Sequence, residues 1–193
     1  MAWFLSNLRY VAWTALAVGV LFFIWYTLGV RGITFGEGVF WEAGLRWLHV
    51  LSGIMWIGLL YYFNFVQTPT MPKVPAELKP GVTKFIAPSA LFYFRWGAAF
   101  TVLTGLLLAW SYEELDDALL LHPSARLIGI GMWLALIMAA NVWFVIWPAQ
   151  QKVLGLKPAE DAEKAAAAKL GLIASRTNVL LSIPMLLCMT NFH

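Results

Sequence analysis

Five apolar runs are the feature of the sequence that most constrains its fold. They cover residues 10–30, 44–67, 90–110, 125–147 and 171–192. Crossing the hydrocarbon core of a bilayer takes roughly 20 helical residues, so each run is long enough to span. Charged residues make up 12% of the chain, whereas soluble domains carry roughly 25%. We therefore predict an all-α integral membrane protein, a bundle of five transmembrane helices forming a single domain over residues 1–193.

The lysines predict how the helices are oriented. Two alternate connections collect them: Lys73, Lys79 and Lys84 in one, and Lys152, Lys157, Lys164 and Lys169 in the other. Since positive residues concentrate in cytoplasmic loops, we expect a cytoplasmic N-terminus and an outer C-terminus in a bacterial inner membrane. The formal charge of +3 then reflects orientation, and no nucleic-acid partner is predicted.

Two polar connections are predicted to hold further helix. Ser111-Tyr-Glu-Glu matches a capping box, which predicts a short helix in the outer loop that ends near His122-Pro123. Its acidic first turn suits either a basic partner such as a soluble cytochrome c or plain solvation. The last span is expected to begin in the polar loop after Pro158 and to enter the membrane near Gly171.

One histidine stands inside the second apolar run. His49 lies about five residues, or roughly 7 to 8 Å, inside the outer end of that run. The predicted topology places His122 and His193 on the same side of the membrane. Neutral imidazoles ligate haem iron, so this clustering suggests a non-covalent haem b near the outer face. The only cysteine is Cys188, so covalent attachment through CxxCH is excluded for this chain.

The neighbours of His49 are compatible with such a site. Arg46 is on the same helix face, and Arg126 lies in the outer connection, where cations could neutralise propionates. Gly53, four residues after His49, leaves space beside the imidazole ring, and Trp56 continues the same helix face. The alternatives are that His49 forms a hydrogen bond to a neighbouring helix, that His122 is a solvated loop residue and that His193 is a frayed terminus.

A second polar set lies near the predicted inner side. It consists of Arg95, Asn141, Arg176 and Asn178. These residues are candidates for binding an anionic or quinone-like substrate. The alternative is that the arginines extend to lipid phosphate and the asparagines bond neighbouring helices.

Three stretches resemble a known family. They are GLRWLHVLSGIMWIGLLYYFNFVQTP from Gly44, NVWFVIWPAQQKVLG from Asn141 and SRTNVLLSIPMLLCMTNFH from Ser175. Together they resemble the membrane domain of the bacterial urate hydroxylase, or urate oxidase N-terminal, family, whose members often carry a C-terminal cytochrome c. The first stretch is also similar to haem-binding membrane protoporphyrinogen oxidases. Here the family's final histidine motif reads Asn191-Phe-His193, with the histidine one place later than in the family.

The resemblance implies redox work and favours His49 as a haem ligand. We predict a membrane-embedded b-type haem electron-transfer protein, or an oxidoreductase component, with His49 and His193 as axial ligands and His122 in reserve. Without CxxCH, we expect a separate partner, either other membrane subunits or a cytochrome c. A homo-oligomer among membrane lipids is compatible with this prediction. The alternatives are a cofactor-free structural or assembly subunit, and oxidation of urate or another small anion with an external cytochrome c.

Overall fold

The computed structural model describes residues 2–191, and this part of the chain is 84% helical with no strands. Five helices within it are long and apolar enough to cross a membrane: α1 (Leu8–Val30), α2 (Gly38–Lys73), α3 (Lys79–Ser111), α4 (Arg126–Val153) and α5 (Asp161–Thr190). The predicted all-α fold with five spans is confirmed, and the protein is a multi-pass membrane protein. The orientation of its termini stays a prediction.

The helices extend beyond the apolar runs at their polar ends. With 36 residues, α2 is about 54 Å long at 1.5 Å per residue, which exceeds a hydrocarbon core of about 30 Å. At its start, α5 has Asp161 and Glu163 in its first turn and then continues unbroken to Thr190. The prediction that the last span begins in the polar loop is confirmed.

Four of these helices contain π-helical stretches. They are Trp25–Val30, Tyr62–Gln67, Val82–Ile86 and Val142–Ile146, in α1 to α4 respectively. A π stretch widens the helical turn, so it changes which neighbour the following side chains face, and such stretches are frequent at functional sites. Asn64 lies in the stretch of α2 and Trp143 in that of α4.

The connection between α3 and α4 holds a short helix, Leu115–Leu119. The predicted capping box is wrong, because α3 continues to Ser111 and the Ser111 hydroxyl donates to the Leu108 carbonyl at 2.8 Å. At the C-terminal end of a helix the free groups are carbonyls, so a serine there donates to the preceding turn instead of accepting from N–H groups. A second short helix, Ala2–Leu5, precedes α1.

The chain divides into two compact units, Met1–Leu45 and Arg46–His193. In the first unit, the Phe40 ring packs against Phe23 and Phe35, with centroids 5.2 and 4.8 Å apart. The Glu37 carboxylate accepts from the backbone N–H and the hydroxyl of Thr34, and these bonds lower its pKa. The single-domain prediction stays a prediction.

The second unit contains the main core, in which side chains of α2 to α5 pack together. Its best-buried members are Trp56, Leu60, Phe94, Met138 and Val142, each at most 1% exposed. Small residues bring the helices close, as membrane helix packing requires. A Cβ added at Gly97 of α3 would lie 3.2 Å from the Trp56 backbone nitrogen, and one at Gly131 of α4 would lie 2.9 Å from the Cys188 Cβ.

Candidate functional site around His49

The His49 imidazole of α2 is held against α3 by its Nδ1 atom. Nδ1 lies 2.9 Å from the Thr101 carbonyl oxygen and 3.3 Å from the Thr104 hydroxyl. A carbonyl can only accept, so Nδ1 carries the hydrogen and Nε2 is the unprotonated nitrogen of the neutral ring. Among the described residues, Nε2 has no hydrogen-bond partner, which leaves its lone pair available to a ligand.

A glycine on α3 makes room for the ring. A Cβ added at Gly105 would lie 2.8 Å from His49 Cε1 and 3.1 Å from Nδ1. On the same helix, the buried Thr101 and Thr104 hydroxyls donate back to the Gly97 and Phe100 carbonyls at 2.7 and 2.6 Å. On this face of α3, Gly105 therefore leaves room for the imidazole, and the Thr101 carbonyl oxygen accepts its hydrogen bond.

A small cavity of about 30 Å³ adjoins the His49 ring. Its walls include Met132 of α4 and Met189 of α5 as well as Gly105 and Thr101. The accessible lining of this cavity is apolar, whereas a buried water needs about two to four polar partners. Residues of three different helices, His49, Met132 and Met189, therefore line one cavity.

Of the other two histidines, His122 does not line this cavity. His122 is exposed, and its Nδ1 lies 2.8 Å from a carboxylate oxygen of Asp117. His193 lies outside the described residues. Within the described range, no group of three or more His, Cys, Asp or Glu residues could hold a metal ion. A haem iron ligated by His49 and His193 stays a prediction.

The two arginines predicted to serve the site have local partners. The Arg46 guanidinium donates to the Tyr112 hydroxyl and lies 5.7 Å from the centroid of that ring. Arg126 is exposed, and its Nε lies 3.4 Å from the Leu121 carbonyl. Arg46 is thus one helical turn from His49 on α2, and it is held by Tyr112, the residue directly after the end of α3.

The glycine predicted to accompany the ring is not its nearest one. A Cβ on Gly53 would be in ordinary contact with the Thr101 methyl at 3.9 Å, whereas Gly105 touches the ring. Trp56 is fully buried, and its Nε1 has no hydrogen-bond partner among the described residues. Sequence reasoning missed Gly105 because the residue lies on another helix and nothing local marks it.

Two of the four predicted substrate residues meet between α4 and α5. Asn141 Nδ2 donates to Asn178 Oδ1 and to the Ala174 carbonyl, both at 2.8 Å. In return, Asn178 Nδ2 donates to the Met138 carbonyl at 3.0 Å, and its side chain is fully buried. The two asparagines satisfy each other, as interhelical amides do in membranes.

Two polar pairs between α2 and α5 accompany the asparagines. Asn64 Nδ2 donates to the Ser175 hydroxyl at 2.7 Å, and the Tyr61 and Ser182 hydroxyls lie 3.0 Å apart. Ser175, Asn178 and Ser182 follow one another at helical spacing, so α5 carries a polar stripe toward its neighbours. The serine and tyrosine members were not predicted.

The two arginines of the predicted substrate set lie apart from the asparagine pair. The Arg95 guanidinium carbon is 3.2 Å from the Trp147 ring centroid and 5.7 Å from that of Trp143. Arg176 is exposed and has no hydrogen bond or ion pair within the described chain. The structure brings Asn141 and Asn178 together and does not bring Arg176 to them.

The asparagine pair yields a stability prediction. Asn178→Ala leaves Asn141 Nδ2 with one acceptor fewer and the Met138 carbonyl without its side-chain donor, so we expect a loss of about 1–2 kcal/mol. Thermal unfolding of the purified protein in mild detergent measures it. Thr177→Ala is the matched control, because that exposed hydroxyl donates only to Ile173 on its own helix. Equal midpoints for the two variants would contradict an interhelical role for Asn178.

Comparison with known families finds a similarity in the C-terminal part of the chain. Residues 115–193 match the family described as urate oxidase N-terminal. The match includes α4, α5 and two of the three resembling stretches, and it confirms the predicted resemblance over that range. The His49 stretch lies outside it. No curated protein and no solved structure matches the chain.

Proposed function

We propose that the protein is a membrane-embedded b-type haem electron-transfer protein, or the membrane subunit of a redox complex. His49 Nε2 is the proposed axial ligand. The observation that carries the proposal is the bond from His49 Nδ1 to the Thr101 carbonyl. A histidine that ligates a metal typically donates its other ring N–H to a carbonyl or carboxylate, which sets its tautomer and ring orientation.

The residues present fit the donor chemistry that haem requires. Imidazole and thioether are both axial ligands of haem iron, and His49, Met132 and Met189 line one cavity. The ring of His49 rests where a Cβ on Gly105 would stand. Because about 30 Å³ is far less than a porphyrin occupies, the walls of the cavity must separate on binding.

The residues around the cavity have different roles in the proposed haem binding. His49 ligates, Thr101 orients the imidazole, and Arg46 supplies a cation one turn away on α2. His193 is the proposed second ligand, while His122 lies in the exposed loop before α4 and Arg126 is the first residue of α4. Bound haem would supply the one-electron chemistry, while the chain sets the ligands and their burial.

A partner and a location follow from the charges. The exposed carboxylates of Glu113 and Asp116 lie in the connection between α3 and α4, where they suit a basic partner such as a cytochrome c, steered by charge. The lysine-rich connections support an inner-membrane location. In that orientation these connections face the cytoplasm, at the opposite end of the helices from Glu113 and Asp116.

The absorption spectrum of the purified protein tests the proposal. Oxidised and dithionite-reduced samples should show a Soret band and a reduced α band, with about one haem per chain, since three histidines permit one bis-histidine site. A blank spectrum would overturn the proposal. Combined with capture of other membrane proteins in mild detergent, a blank spectrum would favour the cofactor-free structural or assembly subunit.

Gly105 should act as a positioning residue for His49. Gly105→Ala places a methyl 2.8 Å from His49 Cε1, so the ring must leave the Thr101 carbonyl. We expect a shifted α band and at least a threefold lower haem content, with about 1 kcal/mol or less lost by overpacking. Gly53→Ala is the control, because its methyl makes only ordinary contact at 3.9 Å. Identical spectra for the two variants would contradict this role.

Oxidation of urate or another small anion with an external cytochrome c is the second candidate. The urate oxidase N-terminal match over residues 115–193 favours it, and that range includes Asn141, Asn178 and Arg176. Arg95 of the same predicted set lies outside the match. Urate turnover with an added cytochrome c tests this candidate, and absence of turnover across acceptors would remove it.

A further inference from the structure

Arg95 is a half-buried cation without a carboxylate partner. Its Nε donates to the Leu91 carbonyl at 3.2 Å, one turn nearer the start of α3. This is its only hydrogen bond within residues 2–191, and no ion pair there includes it. A guanidinium has five N–H donors, so the four on its two terminal nitrogens have no acceptor in the described chain.

Two tryptophans of α4 keep the guanidinium in place. Trp147 lies under it at 3.2 Å and Trp143 beside it at 5.7 Å, measured from the guanidinium carbon to the ring centroids. Both indoles are half-buried, and Trp143 also contacts Trp96 beside Arg95 near the middle of α3. Stacking leaves the edge of the guanidinium free, and that edge is the part that binds oxyanions in bidentate fashion.

An exposed aromatic stripe passes beside Arg95 on α3. Phe92, Trp96 and Phe100 are about half exposed, at 49%, 44% and 54%. Their rings follow one another with centroids 6.4 and 6.2 Å apart, and Trp96 packs edge-on against Trp143 at 5.8 Å. Phe92 lies one turn before Arg95, toward the start of α3, whereas Trp96 lies next to Arg95 and Phe100 one turn beyond it. A cation followed by Trp96 and Phe100 matches a phosphate that carries an acyl chain running toward Phe100.

We propose that Arg95, Trp143 and Trp147 form a binding site for the phosphodiester of an anionic phospholipid, with one acyl chain along Trp96 and Phe100. Arg95 lies inside a membrane-spanning helix, where an ionisable side chain is costly unless it meets a partner. A lipid phosphate accepts hydrogen bonds from the terminal N–H groups of Arg95, and the acyl chain covers Trp96 and Phe100. Free phosphate would satisfy only the first requirement.

This site is independent of the haem proposal. Arg176 provides the internal comparison, because it is exposed near the same end of the helices, at the start of the span in α5, without an aromatic partner within the described residues. A general attraction of arginine to lipid phosphate would affect both residues alike. Lipid binding at a specific site formed by Arg95 would depend on Arg95 and not on Arg176.

Native mass spectrometry of the full-length protein from mild detergent tests the proposal. Phosphatidylglycerol should bind the wild type at least about tenfold more tightly than Arg95→Gln, since hydrogen bonds to charged groups contribute that much. Arg176→Gln should stay within about twofold of the wild type. Equal losses in both variants, or no loss in Arg95→Gln, would overturn the proposal.

Further binding and displacement measurements distinguish the possible ligands. Phosphatidylcholine should bind more weakly than phosphatidylglycerol, and Trp147→Leu should weaken phosphatidylglycerol binding while retaining the charge. Displacement of the lipid by millimolar inorganic phosphate would mean that the ligand is free phosphate, and displacement by urate would mean a substrate anion; either result would overturn the lipid site. If Arg95→Gln does not fold, Arg95→Lys keeps the charge without the planar fork and should lose at least threefold in affinity.

Discussion

His49→Ala should abolish both the Soret and the reduced α band of the purified protein. The substitution removes the imidazole whose Nε2 is available and whose Nδ1 is bonded to the Thr101 carbonyl. Met132 and Met189 stay in the cavity wall, but His49 is the only imidazole that lines the cavity in the described part of the chain. We expect at least a tenfold lower haem content, measured by the pyridine haemochrome spectrum. Thermal unfolding should show a fold of similar stability, since the ring is only half-buried.

The other histidines supply the controls for this experiment. His122→Ala should keep both bands, because that exposed ring is bonded to Asp117 in a loop and does not line the cavity. His193→Ala should shift the bands if the second ligand is the C-terminal imidazole. Unchanged bands in His49→Ala would rule out His49-ligated haem, whatever the other variants show.

Gly129→Ala should cause the largest loss of stability among alanine substitutions of the helical glycines. An added Cβ would overlap the carbonyl oxygen of Ala118 and lie 2.9 Å from Leu121 Cδ2. The obstacle is the backbone of the short helix Leu115–Leu119, and Ala118 is fully buried, so no side chain can rotate away. We expect a loss of about 3 kcal/mol, at the upper end of the range for overpacking.

Thermal unfolding in mild detergent measures this loss, and Gly58→Ala is its control. Gly58 is also a helical glycine within a span, but a Cβ there would meet nothing within 4 Å. That variant should be neutral or slightly stabilised, since alanine favours helix by about 1 kcal/mol. Similar midpoints for Gly129→Ala and the wild type would show that the short helix is free to shift away from α4.

The five spans were predictable because length and hydrophobicity suffice for them. In lipid, each backbone N–H and C=O must be satisfied within its own segment, so a sufficiently long apolar run can only be a helix. The ends were less predictable, as α2 shows by continuing to Lys73 through Pro69 and Pro72. A proline in the interior of a helix removes one hydrogen bond, and here Pro69 comes two residues after the π-helical stretch Tyr62–Gln67, where the hydrogen-bond register already changes.

His49 could be selected from the sequence, but its partners could not. An ionisable residue in an apolar run is rare and costly, which makes it visible. Thr101 stands 52 residues away, and threonine and glycine are ordinary in membrane helices. Asn141 and Asn178 were likewise visible as polar exceptions, whereas Ser175 and Ser182 were not.

The sequence by itself determined the number of spans, the helical class and the one imidazole that a bilayer makes expensive. These depend on composition along a single helix, where the hydrogen bonds are local. Only the tertiary structure decided that Nδ1 of His49 meets the Thr101 carbonyl, that Gly105 adjoins its ring, and that Arg95 stacks on Trp147. Those pairings depend on the rotation and register of one helix against another, and the π-helical stretches in α2, α3 and α4 alter both.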